Sequence, residues 1–124
     1  MLERKPNILM QKANAFSQRI MKLEYYLKTQ TNCSASTINQ TLRSGTSIEA
    51  NIAESLNAES RSDFIHKLSI ALKEADENLS WLTNIHKSYI VHEEAFTSLI
   101  SDLNEIRYML IASLKTAKGI SKQQ

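Results

Sequence analysis

The scarcity of turn-forming residues constrains this chain more than any other feature: it has two glycines and one proline in 124 residues. Strands need chain reversals, and reversals draw on Gly, Pro, Asn and Asp, which preset or tolerate turn dihedrals. A sandwich, a barrel or a Gly-rich phosphate loop is excluded on that ground. What remains is a set of long helices with short connections, and the length suits one domain spanning residues 1–124.

Four amphipathic segments fill the chain. Over about residues 7–29, Leu9, Ala13, Phe16, Ile20, Leu23 and Leu27 step by threes and fours along one helical face. Pro6 suits a first turn, where its missing N–H costs nothing. A polar break follows, and Ser34 or Ser36 can cap a second helix over 35–57 with the stripe Ile38, Leu42, Gly45, Ile48, Ile52 and Leu56. Ser60 with Asp63 has the form of a capping box for a third helix over 61–90. Its apolar face carries Phe64, Leu68, Ala71, Leu72, Ala75, Leu79, Leu82 and Ile85. The fourth, over 93–118, carries Phe96, Leu99, Leu103, Ile106, Leu110 and Leu114. Glu93 and Glu94 open it and Lys115 and Lys118 close it, each sign complementing the helix dipole. Gly119 suits the residue after the helix, and 120–124 are expected to fray.

The pattern predicts an all-α, up-down-up-down four-helix bundle. Tyr25, Tyr26, Ile70, Trp81, Tyr108, Met109 and Ile111 lie off the four stripes. They are more apolar surface than a small bundle buries internally, so self-association is expected.

Chemistry-bearing residues are sparse. His66, His86 and His92 form no i, i+4 pair and join no Glu-x-x-His cluster, so no metal site and no cofactor is expected. Cys33, the single cysteine, sits in a polar break without a base that its spacing would place beside it. The expected protein is not an enzyme. One free cysteine, no export signal and no apolar run near the roughly 18 residues of a membrane span point to the cytoplasm.

The second helix is unusual. Ser44, Gly45, Ser47, Ala50 and Ala53 thin out its side-chain bulk, and a helical Gly costs about 1 kcal/mol relative to Ala. The compensation expected is close helix–helix approach, bordered by a partly buried polar network that includes Arg43, Asn51 and Glu54; the alternative is a ligand site there.

The run Leu42-Arg-Ser-Gly-Thr-Ser-Ile-Glu-Ala-Asn-Ile-Ala-Glu54 resembles the signature of the four helix bundle proteins encoded in intervening sequences of bacterial large-subunit ribosomal RNA genes. Residues 60–75 resemble that family's third helix, as do Trp81 and Leu82, and the likeness runs from Pro6 to about Lys118. Glu49 departs from it, standing where the family commonly has Gly. The resemblance makes Arg43, Ser44, Gly45, Ser47, Ile48, Asn51, Ile52 and Glu54 motif residues, mainly packing ones. It implies a four-helix bundle assembling as a ring-like homopentamer. A relative, the accessory protein of diversity-generating retroelements, binds nucleic acid and a reverse transcriptase; the resemblance thus implies RNA or DNA, or a protein such as a reverse transcriptase, as partners.

The distribution of charge bears on that implication. The net charge is only +2, but residues 1–33 hold six basic and two acidic groups and residues 115–124 hold three lysines and no acid. Lys5, Lys12 and Arg19 recur every seven residues, drifting about 20° per step, with Arg4 and Lys22 further round the flank. In an up-down bundle Lys115, Lys118 and Lys122 return to the end where Arg4 and Lys5 begin. The expectation is an oligomeric accessory or adaptor protein contacting RNA or DNA through this basic pole. The alternative is a protein–protein scaffold that binds no nucleic acid.

Overall fold

The computed structural model describes residues 7–119 of the chain. They form four helices, α1 (Ile8–Gln30), α2 (Ala35–Leu56), α3 (Arg61–Ser88) and α4 (Glu93–Lys118), with no strand among the described residues. Each start is capped by a side chain that accepts an otherwise unpaired backbone N–H. Asn7 accepts from Met10, Ser34 from Thr37, Ser60 from Asp63 and His92 from Ala95. At the far end Gly119 takes the left-handed conformation, φ 78°, which terminates α4 at no Cβ cost.

The boundaries differ slightly from those read in the sequence. Asn7 is the cap rather than the first turn of α1, α2 stops at Leu56, and α3 stops at Ser88, two residues early. Tyr89 is already extended, so Ile90 belongs to the connection. Pro6 and residues 120–124 lie outside the described residues.

Neighbouring helices are antiparallel, as the pairings across them show. Asn14 of α1 meets Glu49 of α2. Lys67 of α3 meets Glu54 while Asn78 meets Thr41. Arg107 of α4 meets Asp76, and Arg61 donates to the carbonyl of Ala117. Lys12 and Arg19 of α1 meet Glu105 and Asp102 of α4, closing the ring of four.

The α1 and α4 stripes are buried in full, and Leu68, Ala71, Ala75, Leu82 and Ile85 supply the share of α3. Burying a side chain the size of Leu or Phe contributes roughly 1.5–3 kcal/mol, so these stripes dominate the drive to fold. Phe64, Leu72 and Leu79 pack only at the margin of this core. On α2 the buried face is rotated from the expected one. Thr41, Ser44 and Ser55 are buried, Leu42 is half-buried and Leu56 is 37% exposed. Small residues turn inward because α2 lies too close to α1 and α3 for a full leucine stripe.

Candidate functional site

The close approach centres on Gly45. A Cβ there would lie 2.8 Å from Ile20 Cγ1, 3.0 Å from Ile20 Cγ2 and 3.1 Å from Asn78 Nδ2. Beside it Asn78, fully buried on α3, donates to the Thr41 carbonyl at 2.9 Å and to Ser44 Oγ at 3.0 Å. Ser44 Oγ in turn donates to the Gln40 carbonyl. The polar network buried here joins Thr41, Ser44 and Asn78 instead of the expected Arg43, Asn51 and Glu54, and its organiser is Asn78. No sequence pattern singled that residue out, although an Asn on an apolar helical face is a usable signal.

The remaining motif residues divide by exposure. Ile48 and Ile52 are buried, whereas Arg43 and Glu54 lie on the surface. Arg43 reaches Glu74 at 3.2 Å and also Glu77, which accepts from Trp81 Nε1 as well. The hydrogen bond from Arg43 holds the Glu77 carboxyl below its ordinary range, and the same bond raises Arg43. Glu54 instead pairs with Lys67, which that bond raises. Asn51 donates to the Ser47 carbonyl within its own helix. Arg43, Asn51 and Glu54 therefore engage different partners and do not converge on one ligand site. Glu49, at the position where the resemblance leads one to expect Gly, accepts from Asn14 at the helix surface.

Among the described residues no group of three or more His, Cys, Asp or Glu side chains could hold a metal ion. Cys33 lies in the connection between α1 and α2, as the sequence suggests, but its side chain is buried against the core, and desolvation raises its thiol above the ordinary value.

The basic strip is altered most. Lys12 pairs with Glu105 at 3.1 Å, and Arg19 with Asp102 at 2.6 Å and Ser98 at 3.3 Å. Two of its cations are thus engaged in crosslinking α1 to α4, because the acid-rich flank of α4 packs beside the basic flank of α1. Lys22, Lys115 and Lys118 meet no described carboxylate within ion-pair distance. The topology brings Lys115 and Lys118 to the end where α1 starts. Arg4, Lys5 and Lys122 lie outside the described residues.

Of the off-stripe apolar residues, Tyr25 and Tyr108 are 72% and 65% exposed, and Met21 joins them on the surface. Tyr26, Ile70, Trp81, Met109 and Ile111 are half-buried.

A capped antiparallel four-helix bundle with a Gly-centred contact between α1, α2 and α3 is a small all-helical domain. Its particular kind is given by comparison: residues 5–112 match the 23S rRNA-intervening sequence protein family, and the chain belongs to that family. A similar solved structure is a protein with unknown function from the S23 ribosomal protein family of Bacteroides thetaiotaomicron. It is 40% identical, with a TM-score of 0.83, over 87% of this chain and 99% of that one. No curated protein matches. No helix among the described residues is long and apolar enough to cross a membrane.

Proposed function

We propose that the chain is a non-enzymatic, self-associating accessory protein of the cytoplasm that works as an adaptor by presenting repeated copies of its surface. One observation carries this reading: Met21 and Tyr25 on α1 and Tyr108 on α4 are large, apolar or amphipathic, and uncovered in the single chain. Aromatic rings and methionines are the side chains that protein interfaces favour. The ring-like pentamer follows from the family resemblance. Light scattering tests the reading: the mass is expected at a multiple of 14.1 kDa. Tyr25→Asp with Tyr108→Asp should lower it without loss of helicity. A wild-type particle of one chain refutes the reading.

A second reading, contact with RNA or DNA, is favoured by Lys115 and Lys118, which no described carboxylate neutralises. Contact there would be sequence-independent and would weaken steeply between about 50 and 200 mM salt. Lys115→Glu with Lys118→Glu should abolish a gel shift. Retained binding in that variant refutes the assignment to these two lysines; no shift by the wild type leaves the protein-scaffold role, with a protein such as a reverse transcriptase as the partner.

A further inference from the structure

A groove runs between α1 and α4 beside the Arg19–Asp102 pair. It has a volume of about 370 Å³ and is lined by Arg19, Lys22, Leu23, Tyr26, His92, Ala95, Phe96 and Leu99. That volume falls in the range of small-molecule sites, roughly 300–1,000 Å³. Its floor is apolar, from Leu23, Ala95, Phe96, Leu99 and the Tyr26 ring.

The polar groups at its rim each keep at least one N–H or O–H donor unused among the described residues. His92 Nδ1 accepts the N–H of Ala95 at 3.1 Å, so in the neutral ring the proton must sit on Nε2, which bonds no described residue. The Tyr26 hydroxyl oxygen accepts the His92 backbone N–H at 3.2 Å, leaving its own proton without an acceptor among the described residues. Lys22 meets no described carboxylate. Arg19 uses Nη1 on Asp102 and Ser98 and keeps its other N–H groups free of described partners. Asp102 balances the Arg19 charge, so Lys22 supplies the unbalanced positive charge. Donors without acceptors above an apolar floor match a ligand with an anionic acceptor head and an apolar body.

We propose that this groove binds a small amphipathic carboxylate, its apolar body along Leu23, Phe96 and Leu99 and its carboxylate at Lys22, Tyr26 and His92. It does not rest on the nucleic-acid reading, and it requires that self-association leave this groove open. Calorimetric titration of the full chain with decanoate, kept below its micelle concentration, tests it. Saturable binding of one decanoate per chain is expected, with decyltrimethylammonium at least about tenfold weaker. Lys22→Glu should weaken decanoate by about tenfold or more. Ala95→Trp should block it by filling the groove. Lys22 and Ala95 are both exposed, so neither change disturbs the core, and unchanged thermal melting confirms that. The proposal is overturned by absence of saturable decanoate binding, which includes a groove covered by a second copy. Equal binding of the cationic amphiphile, or undiminished binding in both variants, overturns it as well.

Discussion

Replacing Gly45 by Ala separates helix propensity from packing. In an exposed helix interior this change stabilises by about 1 kcal/mol. Here the new methyl would sit 2.8 Å from Ile20 Cγ1, inside any real Cβ contact, with Asn78 Nδ2 at 3.1 Å. Ile20 is 1% exposed, so it can give way only by shifting against its core neighbours. Overpacking of that kind costs about 1–3 kcal/mol. Displacing Asn78 would also weaken two hydrogen bonds, each contributing about 0.5–1.5 kcal/mol. After subtracting the propensity gain, a net loss of about 1–3 kcal/mol is expected. For a domain of this length that lowers Tm by roughly 4–12 °C. The assay is thermal melting by circular dichroism at fixed chain concentration. A double-mutant cycle with Ile20→Ala sharpens it: truncating Ile20 makes room for the methyl, so the two losses should sum to more than the double variant shows. A Gly45→Ala protein that melts higher than wild type, or strictly additive losses, would refute the close-contact account.

Two further perturbations test the polar interior and the surface pairs. Asn78→Asp puts a carboxylate in a fully buried position facing the Thr41 carbonyl, so a loss of about 3 kcal/mol or more is expected near neutral pH. That loss should shrink as the pH falls and the acid is protonated, which melting at several pH values would reveal. Arg43 holds Glu77 below its ordinary 4.5, so its share of stability is present above the unfolded pKa and is lost as pH falls through the lower folded value. Glu77→Gln should therefore flatten the decline of Tm below about pH 4.5; an unchanged decline would contradict the pairing.

Much of the bundle could be read from residue order. The stripes of α1 and α4 are buried as predicted, and Ser34, Ser60, Glu93, Glu94 and Gly119 mark the helix ends they were expected to mark. The candidate site was less legible. Lys12 and Arg19 look like an open basic edge until α4 sets Glu105 and Asp102 against them. Arg43, Asn51 and Glu54 share a short stretch of one helix, yet two of them reach to different turns of α3 and the third bonds back onto its own helix.

Sequence alone determined which chain segments become helices and which faces hide from water, because capping and a 3.6-residue apolar period are properties of one segment at a time. Tertiary structure alone decided how far α2 rolls to bury Thr41, Ser44 and Ser55, which cations are neutralised, and that Asn78 anchors the interior. Those outcomes depend on distances between helices, and a glycine that lets two backbones approach sets such distances only once its neighbours are in place.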